Sequence, residues 1–258
     1  MMMMSSTPEI APKRGLDLVQ GRVNRLWTRG TLGHHLIIAM SGSGKTAHIV
    51  RNILPLCARE RMVFVDVKND TDPMLSGVGR PIGPRNLALV LGGHGGGPFG
   101  TWFRLVIDPV NRPAEARAAI RQLLQWALSV GDMVICVDEA RTITELGLGE
   151  LYESVLTRGR SNGVSVVSAV AATDNMRPAV RTQWAYAWAG TVNGAEVIRS
   201  TLGMLNLPNT QKVGSTQNPY WLLIRDLAPF EWLYLDHKGP AGNKTVMARV
   251  KSWNPDAI

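Results

Sequence analysis

Cysteine is nearly missing from this chain of 258 residues, which has two, Cys57 and Cys136. They stand at no metal-ligand spacing, one in an expected helix and one in an expected buried strand, so the sequence argues for a reducing interior without a disulfide. Long apolar runs are missing too: no stretch approaches the roughly 18 residues that span a bilayer. The opening MMMMSSTPEIAPKRG lacks the apolar core of a signal peptide, and residues 1–15 read as a disordered leader or a misassigned start. Acidic residues are in deficit, 20 against 28 Lys and Arg, giving a formal net charge of +8. That balance favours an anionic partner, nucleic acid or an acidic membrane surface. His34 and His35 have no acidic or cysteine neighbour in sequence, so no metal site is assigned to them. There is no internal repeat, and no low-complexity tract beyond the methionine start.

What is present is a globular composition, 45% hydrophobic and 19% charged, long enough for one large α/β domain over residues 16–258. Strand and helix patterns alternate, which implies a mostly parallel sheet with helices on both faces. A strand is expected over residues 62–67 with Asp66 and Lys68 at its tip. Two apolar runs flank the glycine-rich residues 92–100, and a helix with Pro113 at its start is expected over 114–128. A buried strand follows over 133–137, a helix over 150–157 and the β-branched run VSVVSAV over 164–170. Near the end YWLLI, EWLYLD and TVMARV are strand-like with short turns between them, and antiparallel pairing at a sheet edge is expected.

The chemistry concentrates at residues 34–50, HHLIIAMSGSGKTAHIV. Ala39, Met40, Ser41, Gly42, Ser43, Gly44, Lys45 and Thr46 keep the G-x-x-x-x-G-K-[ST] spacing, with Ala39 at the first glycine position. Small residues let successive backbone N–H groups wrap phosphates, Lys45 reaches the outer phosphate oxygens, and the Thr46 hydroxyl suits Mg²⁺. An apolar strand precedes the turn and a helix, which Pro55 should kink or end, follows it, so the helix N-terminus aims at the phosphates. A Gly/Ser turn that happens to carry a lysine is the competing reading, and those flanks weigh against it. The second half of such a site is a buried strand ending in acids, and DMVICVDEAR supplies it. Asp138 would hold Mg²⁺ and Glu139 would orient and polarise the attacking water, which favours hydrolysis over transfer to a small acceptor.

After those two motifs comes YESVLTRGRSNGVSVVSAV, residues 152–170. A helix ending in Arg-Gly-Arg, then Ser-Asn-Gly and a β-branched strand, resembles the FtsK/HerA superfamily of DNA-pumping ATPases. VFVDVKND resembles that superfamily's second strand, and RPAVRTQWAYAWAGTVN its later helix and last core strand, so the likeness covers about residues 30–225. The resemblance implies a RecA-like P-loop core using ATP and Mg²⁺, working as a homo-oligomeric ring, often a hexamer, with an arginine supplied in trans. Arg158 and Arg160 are the candidates, and spacing does not choose between them. Helix C-terminal charges complementing the dipole are the alternative. One position departs from the family: where it commonly carries Gln at the next strand tip, this chain has Ala171, with Thr173 or Asn175 as replacements.

In a ring, pore residues meet the DNA backbone without reading sequence. Residues 92–100, Arg177 and Arg181 are candidates, whereas Trp184 and Trp188, four apart, fit a core face better than base stacking. The nearly bare core resembles most the genome-packaging ATPases of membrane-containing viruses. That implies double-stranded DNA and a capsid or membrane vertex protein as partners, in the virion or host cytoplasm. An ATPase of secretion, conjugation or phage assembly, acting on protein or at a membrane, is the first alternative. A P-loop kinase or non-motor nucleotide-binding protein is the second.

Overall fold

Continuous apolar runs bounded by turn residues become strands covered on both faces. The computed structural model describes residues 10–11, 33–57, 61–69, 71–92, 102–172, 178–213, 215–237 and 246–251. In it β2 (His34–Ala39), β3 (Met62–Asp66) and β6 (Met133–Val137) are buried throughout, and β7 (Val164–Ala171) is buried up to its half-buried last residue. Among the described residues the main sheet has ten strands, in the order β1 (Ile10–Ala11), β12 (Val246–Lys251), β11 (Glu231–Asp236), β8 (Trp184–Ala189), β2, β7, β6, β3, β5 (Trp102–Val106) and β4 (Arg80–Ile82). From β8 to β4 every neighbouring pair is parallel, while β11 runs antiparallel to both β8 and β12. This is the expected mostly parallel sheet with antiparallel strands toward the C-terminus. Ile10–Ala11, within the stretch read as a leader, pairs with β12.

The helices are α1 (Lys45–His48), α2 (Pro84–Gly92), α3 (Pro113–Val130), α4 (Ala140–Glu145), α5 (Gly149–Arg158), α6 (Pro178–Arg181), α7 (Ala195–Met204) and α8 (Pro219–Arg225). α1 is short because its ladder passes into a π turn, Ile49–Ile53, and then a 3-10 turn, Leu54–Cys57. Pro55, without an N–H to continue an α ladder, lies in that last turn. Of the two apolar runs flanking 92–100, the first is helix α2 and the second strand β5; residues 93–100 lie outside the described residues.

The sheet divides the core in two, because alternate side chains along each strand point to opposite faces. Leu36, Ile38, Val63, Val65, Ile135 and Val137 join α3, α5, α7 and α8 on one face. Ile37, Phe64, Val134, Cys136 and Val167 lie on the other with Ile49, Ile53 and the aromatic side chains Tyr186, Trp188, Trp232 and Tyr234.

Two expectations are corrected. YWLLI is helix, not strand: the Asn218 side chain accepts the Tyr220 N–H, Pro219 starts the first turn, and Trp221 and Ile224, three apart, are buried on one side. A short apolar run carries no period that separates the two states, so the cap decides. Trp184 and Trp188 are both buried but do not share a face. The β2–β8 register slips between His34 and His35, which pair with Trp184 and Tyr186, and the bulge at Ala185 reverses the alternation.

Candidate functional site

Open parallel sheets bind ligands beyond the C-terminal ends of their strands. Here β2, β7, β6 and β3 are adjacent, and their ends bring residues 39–46, Ala171, Asp138 with Glu139, and Lys68 to one edge. The loop of residues 39–46 turns through Gly42 (φ 76°) and Gly44 (φ 83°), both in the left-handed region. At Gly44 a Cβ would also stand 3.1 Å from the Phe230 ring, so glycine is required there twice over. Ala39 is tolerated because it is still the last residue of β2, paired with Ala171. Its methyl is fully buried and uses space left by Gly190, where a Cβ would come within 2.9 Å of it.

Lys45 folds back over the loop, its Nζ donating to the carbonyls of Ala39 (3.0 Å) and Met40 (2.9 Å). Ser43 Oγ also donates to the Met40 carbonyl. Beside the loop, Met40, Ser43, Thr191, Asn193, Pro229 and Phe230 border a cavity of about 230 Å³.

Thr46 opens the second half of the site. Its hydroxyl lies 3.0 Å from both carboxylate oxygens of the buried Asp138, which directly follows β6. Lys68 Nζ enters the same space, 2.8 Å from Asp138 Oδ2, 3.0 Å from Thr46 Oγ1 and 2.8 Å from Asp72 Oδ2. The lysine is held from below: Asp66, at the end of β3, accepts its backbone N–H and is itself fixed by a buried ion pair with Arg104 (2.8 Å). Burial pulls the Lys68 pKa down, but the hydrogen bonds and charges of Asp138 and Asp72 outweigh it, and the ammonium lies above its ordinary value. Burial likewise pushes Asp72 up, and Lys68 with the Met74 N–H holds it below the usual carboxylate range instead. Thr46 and Asp138 are hard oxygen donors converging on one cation, the donor chemistry that Mg²⁺ takes. Glu139 follows at the start of α4, half-buried at the rim.

The structure thus gathers residues 39–46, Asp138 and Glu139. It puts Arg158 and Arg160 elsewhere. They precede β7, whose far end meets the loop, so the eight residues of that strand, roughly 25 Å at 3.3 Å per residue, separate them from it. Both are exposed. The turn that carries them is braced: the Asp132 N–H donates to the Asn162 carbonyl (2.9 Å), Asn162 Nδ2 donates to the Leu128 carbonyl (2.9 Å), and Gly163 turns at φ 75°. Buried Gly159 lets α5 close on Val164. Ala171 occupies the strand tip between β2 and β6, while Thr173, Asn175 and Arg177 lie outside the described residues. Arg181 is half-buried, its guanidinium against α7 at Gly203. His34 is structural: Nδ1 accepts the Val166 N–H (3.0 Å), so Nε2 carries the proton and donates to the Leu156 carbonyl (2.9 Å). Sequence reading noticed Lys68 at its strand tip but gave it no place in the site, and Asp72 went unnoticed. The string VDVKND was the available signal for Lys68, and Asp72 lies two residues beyond it.

A parallel sheet with this loop on a central strand and an Asp-Glu pair two strands away defines a RecA-like P-loop NTPase core. Its fold is similar to that of several solved proteins. The genome packaging NTPase B204 of Sulfolobus turreted icosahedral virus 2, solved with sulfate, superposes with a TM-score of 0.58 at 13% identity, covering 86% of this chain and 97% of that one. B204 of Sulfolobus turreted icosahedral virus, described as a DNA-packaging ATPase, gives 0.58 at 12% identity over 83% and 96%. VirB4 of Thermoanaerobacter pseudethanolicus gives 0.56 at 12% identity over 87% and 90%. No protein-family model matches the sequence, and no curated protein does.

Proposed function

We propose that this chain is an ATP-driven translocase of double-stranded DNA, working as a homo-oligomeric ring, and that its task is packaging a viral genome into a capsid. The observation that carries the motor reading is the pairing of a phosphate site at one end of the strands with two exposed arginines, on a braced turn, at the other. Neither arginine can serve its own loop, and a fixed guanidinium supplied by a neighbour couples hydrolysis to assembly. In this reading Lys45 leaves the loop carbonyls for phosphate oxygens, Thr46 and Asp138 hold Mg²⁺, and Glu139 orients the attacking water. The metal, when bound, neutralises phosphate charge. The packaging task rests on fold likeness to B204 and on the basic charge, and a location in virion or host cytoplasm follows from it alone.

A second reading, an ATPase of conjugation or secretion acting on protein or at a membrane, is favoured by the likeness to VirB4. Among the described residues no helix is long and apolar enough to cross a membrane.

The test is the ATPase rate with and without linear double-stranded DNA at two salt concentrations, beside Glu139→Gln. Stimulation by DNA that weakens with salt and disappears in Glu139→Gln is expected. Hydrolysis indifferent to DNA would refute the translocase and direct the search to a protein client.

A further inference from the structure

The Lys68 ammonium contacts both residues that would hold the site's metal. An ammonium has three protons to donate, and here three oxygens take them: Thr46 Oγ1, Asp138 Oδ2 and Asp72 Oδ2, at 3.0, 2.8 and 2.8 Å. Two of those oxygens belong to the residues assigned to Mg²⁺. The third sits four residues along the same loop and carries no part of the metal assignment. Asp138 is almost fully buried, and a buried carboxylate without a partner cation is expensive. Lys68 supplies Asp138 with that cation.

We propose that Lys68 competes with the divalent metal for Asp138 and Thr46, and that binding of metal and nucleotide displaces it from both onto Asp72. Thr46 and Asp138, already hydrogen-bonded to each other, offer one set of oxygens, so the ammonium and the divalent ion compete for it. Asp72 gives the displaced lysine a place to go. It is fastened to its own loop, where its Oδ1 accepts the Met74 N–H that starts the 3-10 turn Pro73–Leu75. The loop between β3 and that turn includes Asn69 at φ 54°, a left-handed residue that shapes the corner beside Lys68. Displacement frees this loop from the P-loop, so its position reports whether the site is loaded. The inference rests on the ATPase reading of the site and adds a competitor that sets its requirement for metal.

The experiment titrates MgCl₂ into the full-length protein with a fluorescent ADP and, separately, a fluorescent non-hydrolysable ATP analogue, recording the Mg²⁺ concentration at half-maximal binding. Lys68→Met removes the competitor and should lower that concentration about tenfold with both nucleotides, the scale of one charge-assisted hydrogen-bonded pair. Asp72→Asn removes the refuge and should raise it, and a mere folding defect would not shift the two variants in opposite directions. Amide hydrogen exchange at residues 67–76 should respond to loading in the wild type and much less in Lys68→Met. An unchanged or raised Mg²⁺ requirement in Lys68→Met would overturn the proposal. So would a loss of affinity confined to the ATP analogue, since Lys68 would then be a phosphate ligand. If the wild type binds neither nucleotide at any Mg²⁺ concentration, the ATPase reading itself falls.

Discussion

Gly190→Ala tests why this chain tolerates alanine at the first position of its phosphate loop. A Cβ on Gly190 would stand 2.9 Å from Ala39 Cβ and 2.8 Å from Trp232 Cζ3, against about 3.5–4.0 Å for carbons at ease. Neither neighbour has room to retreat. Ala39 is held by backbone pairing to Ala171, and its carbonyl accepts the Ala172 N–H and Lys45 Nζ. Trp232 is fully buried and stacks on His48 at 4.2 Å. Overpacking of this kind costs about 1–3 kcal/mol, and about 2 kcal/mol corresponds to a fall in Tm of roughly 4–8 °C at this size. Ala39→Gly in the same chain removes one of the two overlaps, so the double variant should recover at least about 0.5 kcal/mol beyond additivity. Urea unfolding of the four proteins gives the coupling. A silent Gly190→Ala, or strictly additive variants, would refute the argument that Gly190 makes the space for Ala39.

The arginine assignment predicts complementation. Glu139→Gln is inactive in its own site yet still presents its arginines, so mixing it with Arg158→Ala or Arg160→Ala should restore hydrolysis for whichever arginine acts in trans. If both alanine variants keep full activity alone, the arginines only cap their helix. Stability should also fall in mild acid. Burial first, then neighbouring His35, pulls the His48 pKa from 6.5 down to about 3. The unfolded chain therefore binds a proton below pH 6.5 that the folded chain refuses, and between pH 6.5 and about 3 stability drops as pH falls, by up to about 1.4 kcal/mol per unit. From pH 7 to 5.5 this amounts to about 1 kcal/mol in urea unfolding. His48→Phe should remove that contribution, and an unchanged slope would show that His48 binds its proton equally well in the folded and unfolded chain.

The strand, turn and helix over residues 34–48 and the buried strand before Asp138 and Glu139 were legible because their pattern is local: a turn of fixed spacing between strand and helix, and an apolar run ending in acids. The β-branched run after Arg-Gly-Arg was legible for the same reason, and it became β7. What escaped depends on contacts distant in sequence. Lys68 meets Thr46 and Asp138 only because β3 and β6 are neighbours in the sheet. The bulge at Ala185 arises from pairing with β2, and nothing in WAYAWA announces it. In YWLLI five apolar residues fit either state, and the Asn218 cap settled it. Gly190 was invisible as a partner of Ala39 because 151 positions separate them in sequence, although β2 and β8 lie side by side.

Movement along DNA is the claim that most needs direct evidence, and triplex displacement measures it. A labelled third strand is annealed near one end of linear double-stranded DNA, and its release is followed after addition of protein with ATP and Mg²⁺. The account predicts release that requires hydrolysis, absent with a non-hydrolysable analogue and absent in Glu139→Gln. A wild-type protein that hydrolyses ATP on this DNA and leaves the triplex in place would contradict it.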